Sequence, residues 1–145
     1  MKTAIFDIDG TLADSSHRVH YVLAHPKNWD AFHAESINDE PHAHIVELAI
    51  LLAQAGYEIV CCSGRGEEYR DITLDWIEAN GIPYSALYMR ATGDRRDDSI
   101  VKLELLVRMR ADGFDPKIAF DDRDRVVDAW RQAGIPCLQV APGAF

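Results

Sequence analysis

An α/β fold, a three-layer sandwich with a mostly parallel central sheet and helices on both faces, is what this sequence predicts. From residue 43 onward, short apolar runs alternate with stretches of helical length, and the breaks between them fall at Gly and Pro. Strands alternating with helices in this way imply right-handed βαβ crossovers. The first apolar run ends in acidic residues followed by glycine, as a strand does when it delivers side chains to a site at the sheet edge.

The segment Ile5-Phe6-Asp7-Ile8-Asp9-Gly10-Thr11-Leu12 begins as an apolar run, which reads as a strand buried on both faces. Residues 14–42 then break the rhythm, with His17, His20, His25, His33 and His42, two prolines, and Asn28-Trp29-Asp30-Ala31-Phe32. This segment reads as a small helical insertion, a minimal cap over the end of the first strand, within one domain spanning 1–145. Its histidines show no HExxH arrangement and are expected at the surface. The remaining pattern predicts helix 43–55, strand 57–62, helix 66–79, strand 84–89, helix 98–111, strand 117–121, helix 123–133 and strand 137–141. Gly56, Gly81, Gly113 and Gly134 follow the helical stretches as stop signals, with Pro83, Pro116 and Pro136 just beyond three of them.

A chain of 145 residues can bury a core without disulfide or metal staples. Its net charge of −9 counts against a broad, non-specific nucleic-acid surface, which needs clustered Lys and Arg. No apolar run approaches the roughly 18 residues of a membrane span, and Met1-Lys2-Thr3 leads directly into the first strand, so a soluble, cytoplasmic protein without membrane contact is expected. Cys61, Cys62 and Cys137 lie in apolar runs and read as reduced, buried thiols.

Four segments converge if the sheet is doubly wound. Asp7 and Asp9 at i and i+2 repel one another unless a cation lies between them, so the pair reads as half of a divalent metal site. Ser63-Gly64-Arg65, placed at a helix start after strand 57–62, offers a hydroxyl, a backbone amide and a guanidinium to a phosphate. Lys102 lies early in helix 98–111, and Asp121-Asp122 forms a second acidic pair at a second strand end. Together they make an oxygen-rich site suited to Mg²⁺, with Asp7, Asp9, Asp121 and Asp122 as candidate ligands. They also supply the groups that phosphoryl transfer needs. Asp7 is the expected nucleophile, forming an aspartyl-phosphate. Asp9 is the expected proton donor, its pKa held nearer neutrality than a free Asp. Lys102 would position Asp7 and offset charge, while Ser63, Gly64 and Arg65 would bind the phosphoryl oxygens.

In this order and on these elements, Asp7-Ile8-Asp9-Gly10-Thr11, Ser63, Lys102 and Asp121-Asp122 resemble the four motifs of the haloacid dehalogenase (HAD) superfamily. A closer resemblance is to the 3′-phosphatase domain of bacteriophage polynucleotide kinase-phosphatase. It is carried by Arg18, Val60 to Arg65, Met89-Arg90, Gly93 to Asp98 with Lys102, and above all the stretch from Asp121 to Phe145. The resemblance implies a HAD-like phosphatase with Mg²⁺ as cofactor. It also implies that Arg18, Arg65, Arg90 and Asp98 belong to the active site, gripping the substrate phosphate or orienting the groups that do. No GxxxxGK[ST] motif occurs, so only phosphatase chemistry is implied and no kinase domain is expected in this chain.

The expected reaction is therefore hydrolysis of a phosphomonoester, with a nucleic-acid or nucleotide 3′-phosphate as substrate. The rival within the same chemistry is a phosphatase of small nucleotides or sugar phosphates, which the negative net charge favours. Receiver domains of two-component signalling also combine acidic residues, a hydroxyl and a lysine around Mg²⁺. There the acidic pair follows the first strand and the lysine the last, an order this chain does not share. A silent HAD-like binding module is disfavoured because every motif residue is present.

Overall fold

The computed structural model describes residues 1–145. Five parallel strands form the central sheet: β1 (Lys2–Phe6), β4 (Glu58–Gly66), β5 (Ala86–Arg90), β6 (Asp115–Asp121) and β7 (Cys137–Gln139), in the order β5-β4-β1-β6-β7. The apolar runs are buried on both faces, and their period of two divides them between two cores. Phe6, Cys61 and Met89 face one core with α3 (Ala43–Gln54) and α4 (Arg70–Ala79), where Ile45, Ala49, Trp76 and Ile77 meet them. Ile5, Val60, Cys62 and Tyr88 face the other, against Leu105, Met109, Val127 and Trp130 of α5 (Asp98–Ala111) and α6 (Asp124–Gln132). These are the three layers the alternation predicts.

β1 lies at the centre, paired with β4 on one side and β6 on the other, with Phe6 opposite both Cys61 and Phe120. The Phe6 and Phe120 rings stack at 4.5 Å and lock that register near its carboxyl end. Chain growth runs outward from β1 to β4 and β5, then returns to β6 and β7, so the strand order reverses beside β1. The carboxyl ends of β1, β4 and β6 meet at that switch point, where open α/β sheets hold their ligands.

The predicted helices hold to within one residue for α3, α5 and α6. Gly113, at φ 97, closes α5 with a left-handed turn that a residue bearing Cβ would resist. The strands depart more. β4 runs on through Ser63-Gly64-Arg65-Gly66 rather than ending at 62, and a 3-10 turn (Glu67–Tyr69) precedes α4. Ser63 and Arg65 therefore project from the end of a strand and not from a helix start. The Arg65 bonds described below, to groups across the sheet edge and on α4, hold that backbone extended. β6 begins earlier than expected because Asp115 and Pro116 pair with Lys2 and Thr3, and a register shift follows between Thr3 and Ala4, so the proline lies beside a bulge.

Residues 14–42 leave and return through a short antiparallel ribbon, β2 (Ala13–Asp14) with β3 (Glu40–Pro41). Between them lie a 3-10 turn (Ser16–Arg18), α1 (His20–Leu23), α2 (Trp29–Ala34) and a second 3-10 turn (Glu35–Asn38). Not all its histidines are solvated: His33 is half-buried and its Nδ1 has no hydrogen-bond partner. All three cysteines are free and buried, and burial pushes their thiols up to about 12. No helix is long and apolar enough to cross a membrane.

Candidate active site

Asp7 follows β1 directly, its backbone N–H donating to the Phe120 carbonyl at 3.0 Å. Its two carboxylate oxygens have separate partners. Lys102 Nζ donates to Oδ1 at 2.8 Å and the Thr11 hydroxyl to Oδ2 at 2.9 Å, which fixes the carboxylate plane. Lys102, 2% exposed, also donates to Asp121 Oδ2 at 2.8 Å. The second turn of α5 thus carries the ammonium beneath the sheet edge, bridging the ends of β1 and β6. Asp121 Oδ1 accepts from the backbone N–H groups of Asp122 and Arg123, and Oδ2 also accepts from the Trp130 indole at 3.4 Å.

One carboxylate oxygen from each of Asp7, Asp121 and Asp122 lies within 4.8 Å of the others, and all three residues are buried. Three carboxylates against one ammonium leave an acidic surplus of two. Burial, followed by repulsion from Asp121, raises the Asp7 pKa well above the usual carboxylate range, with Lys102 opposing. Burial likewise raises Asp122. Burial lowers the Lys102 pKa, but the charges of Asp121 and Asp7 outweigh it and hold the ammonium firmly protonated. An all-oxygen, net-negative donor set of this kind fits a hard divalent cation. Asp122 is packed in place by two glycines. Gly10, at φ 83, would have its Cβ 2.1 Å from Asp122 Oδ2, and a Cβ on Gly143 would lie 1.8 Å from the Asp122 carbonyl oxygen.

Asp9 stands apart from this cluster. Arg65 grips it in bidentate fashion, Nε to Oδ2 at 3.0 Å and a terminal nitrogen to Oδ1 at 2.7 Å, and Arg18 donates to Oδ1 as well. Burial disfavours the charge, but Arg65 and then Arg18 outweigh it and hold the carboxyl far below the usual range. Two guanidiniums thus offset the charge of Asp9 and lower its carboxyl where a value nearer neutrality was expected, and of the four acids expected to hold metal, Asp7, Asp121 and Asp122 are the three whose oxygens lie within reach of one another. Arg18 is fully buried and gives its remaining bonds to Asp39 (2.9 and 2.8 Å) and the Phe32 carbonyl (3.2 Å), so it orients Asp9 from behind. Arg65 is anchored by Thr73 at 3.1 Å. Ser63 accepts the Arg65 backbone N–H at 3.0 Å and lies beside this pair.

Arg90 and Asp98, expected to grip the phosphate or to orient the groups that do, bind each other and the backbone around the strand end. The Arg90 guanidinium donates to the carbonyls of Gly64, Asp94 and Arg96 and to Asp98, while Asp98 also accepts from Arg123 at 2.7 Å. The set clamps the end of β4 to α5 and to the loop after β6. Gly64 leaves room for it: a Cβ there would meet Asp98 Oδ1 at 2.6 Å.

Sequence reading did not single out Asp39 or Thr73. Asp39, buried in the insertion, takes Arg18 and the His17 ring at 2.6 Å, and its backbone carbonyl accepts the Trp76 indole at 2.9 Å. No motif marks it. Its only signal is that a buried arginine needs a partner.

Comparison with known proteins follows the same outline. The family model described as the polynucleotide kinase PNKP phosphatase domain matches residues 1–145. A protein of Autographa californica nuclear polyhedrosis virus described as a bifunctional polynucleotide kinase/RNA ligase is 26% identical over 138 residues, covering 94% of this chain and 19% of the viral protein. Among solved structures, a chain of the Pnkp1/Rnl/Hen1 RNA repair complex superposes with a TM-score of 0.87 at 32% identity, covering 99% of this chain and 43% of that one. The class C acid phosphatase from Bacillus anthracis with tungstate bound matches in fold at a TM-score of 0.72 and 16% identity, covering 99% of this chain and 67% of that one. The chain thus spans about a fifth of the viral protein and under half of the repair-complex chain.

Proposed function

Because the chain belongs to the family of polynucleotide kinase phosphatase domains, HAD phosphatases that hydrolyse phosphoric monoesters, we propose that it removes phosphate from polynucleotide 3′ ends, with Mg²⁺ and an aspartyl-phosphate intermediate. The observation that carries this reading is the pairing at one sheet edge of a fixed, buried Asp7 with an arginine-held Asp9.

Asp7 attacks phosphorus with one carboxylate oxygen. The new Asp7 O–P bond forms as the P–O bond to the sugar breaks. Lys102 and Thr11 hold the attacking group in line, and the Ser63-Gly64-Arg65 strand end faces the phosphoryl oxygens. Asp9 gives its proton to the departing alkoxide, then takes one from the water that attacks the aspartyl-phosphate, regenerating Asp7 and releasing phosphate. A phosphate arriving at Arg65 competes with Asp9 for its donors, and every donor it takes raises the Asp9 pKa from its depressed value. Substrate binding would itself prepare the acid. Asp7, Asp121 and Asp122 would hold Mg²⁺, which when bound offsets phosphoryl charge. Asp121 would do so from a carboxylate already fixed by Lys102, the Trp130 indole and two backbone N–H groups, and Asp122 from one packed against Gly10.

The net charge of −9 favours a second reading, a phosphatase of small nucleotides or sugar phosphates. Phosphate release from a matched panel decides between them: a 3′-phosphorylated oligonucleotide, its 5′-phosphorylated isomer, a 3′-mononucleotide and sugar phosphates, each with Mg²⁺ or with chelator. Selective, chelator-sensitive release from the 3′-phosphorylated oligonucleotide is expected. Faster release from sugar phosphates would move the assignment to the second reading.

A further inference from the structure

Four rings lead outward from the arginine side of the site, three of them on the inserted segment. The Arg18 guanidinium lies 4.3 Å from the Phe32 ring centroid. Phe32 meets His33 edge-on at 5.2 Å and Trp29 edge-on at 5.7 Å. His33 lies nearly parallel to Tyr69 at 4.1 Å and 25°, and to Trp29 at 6.2 Å and 23°. Tyr69, from the turn that follows β4, is tied to the insertion by its hydroxyl, which donates to Asp30 at 2.9 Å. The cluster therefore bridges the insertion and the strand end that carries Ser63 and Arg65.

Phe32, His33 and Tyr69 are half-buried, but Trp29, the outermost ring, is 51% exposed. Trp76 and Trp130 are 1% exposed, so the fold has room for indoles in its cores and leaves this one in water. Core packing does not account for it. Lys27 Nζ lies 5.7 Å from its ring centroid. A flat π surface with a cation beside it, continuous through Phe32 with the buried Arg18 that holds Asp9, has the chemistry of a surface on which a nucleobase stacks.

We propose that Trp29, backed by Phe32, His33 and Tyr69, is the platform on which the base of the nucleotide carrying the scissile phosphate stacks. This rests on the phosphatase reading above and adds its substrate subsite. The charges around the platform say how much of a strand it takes. Asp30 and Glu68 stand beside Tyr69, and the whole chain is at −9, so backbone phosphates further along a strand meet repulsion. A neutral base meets none. Recognition is therefore of one terminal nucleotide, through stacking, and not of a long backbone through ion pairs.

Trp29 is the one tryptophan of three not buried in a core, so its fluorescence reports on the platform. The full chain carrying Asp7→Asn, chosen because loss of the nucleophile is expected to stop turnover, is titrated with a 3′-phosphorylated oligonucleotide and with the same strand made abasic at its last nucleotide. Affinities are measured in parallel by anisotropy of a labelled strand. Quenching by the base-bearing ligand and binding about tenfold weaker for the abasic one are expected. Adding Trp29→Ala brings the two affinities together, whereas adding Trp29→Phe keeps most of the difference. Lengthening the strand from about two to about twelve nucleotides changes affinity little. Equal binding of both ligands, or a base preference that survives Trp29→Ala, overturns the platform. Should the enzyme prove to act on 5′ ends instead, the 3′ assignment fails, and the same comparison with 5′-phosphorylated ligands still tests the stacking.

Discussion

Asp7 and Asp9 are separated by one residue and meet opposite surroundings. Around Asp7, two more carboxylates face a single lysine, and the surplus is negative. Around Asp9, two arginines face two carboxylates, Asp9 and Asp39, and the charges balance. The first half is poised to gain a cation. The second is poised to exchange one anion for another, a carboxylate for a phosphate oxygen. A site for phosphoryl transfer needs both properties a few ångströms apart. An extended chain would send residues two apart to the same face, but β1 ends at Phe6 and the chain turns through Ile8 and Gly10, which delivers the two acids to different environments. The difference shows that spacing identifies a pair of acids, whereas the groups brought in from β4, α5, β6 and the insertion decide what each acid does.

The strongest way to break the comparison is to neutralise its negative half at the reacting atom. Asp7→Asn is expected to cut turnover by at least about a thousandfold, because the amide cannot form the phospho-intermediate. Its unfolding midpoint should stay near wild type, since the exchange relieves acidic crowding as it weakens the bond to Lys102. A folded variant with normal turnover would place the nucleophile elsewhere. The next largest effect is on stability. Lys102→Ala leaves Asp7 and Asp121 buried without their common cation and is expected to lower unfolding free energy by about 3 kcal/mol in metal-free buffer. Adding Mg²⁺ should restore a larger part of stability in this variant than in wild type, because the cation then offsets charge that the ammonium no longer does. Denaturant curves with and without Mg²⁺ check both parts, and an unchanged midpoint in metal-free buffer would mean that the negative surplus is not felt.

The same contrast explains what could be read from the sequence. Asp7, Lys102 and Asp121 lie far apart in the chain, yet each sits at the end of a strand or the start of a helix that periodicity and Gly/Pro punctuation had already delimited, so the topology forces them together. The balanced half depends on irregular chain. Arg18 and Asp39 both lie in turns of the insertion, where no period exists to extrapolate, and their pairing follows only from the three-dimensional closure of the β2–β3 ribbon. Ser63-Gly64-Arg65 was legible as chemistry and misplaced as structure, because serine before a helical pattern reads as an N-cap while Arg65 in fact keeps the strand extended. Arg90 and Asp98 were legible as polar partners of the site, but their clamp on Gly64 depends on a missing Cβ that spacing does not reveal.

The smallest expected effect sharpens the comparison from the insertion side. His33 rests against the balanced half with Nδ1 buried and unpartnered. Burial is the main cause that lowers its pKa to about 4, with the charges of Arg65 and Arg18 acting in the same direction and Asp9 and Glu68 opposing. An unfolded chain binds this proton near pH 6.5, the folded one near 4, so between those values the unfolded state holds more protons. The contribution of His33 is therefore fully present above about pH 6.5, is lost as pH falls toward about 4, and does not change further below. His33→Phe keeps a ring against Tyr69 and removes the titration. Subtracting its unfolding free energies from those of wild type at pH 7, 6, 5 and 4 should give a difference that falls steadily with pH. A flat difference would mean that His33 titrates alike in both states, and that the arginines spend their field on Asp9 alone.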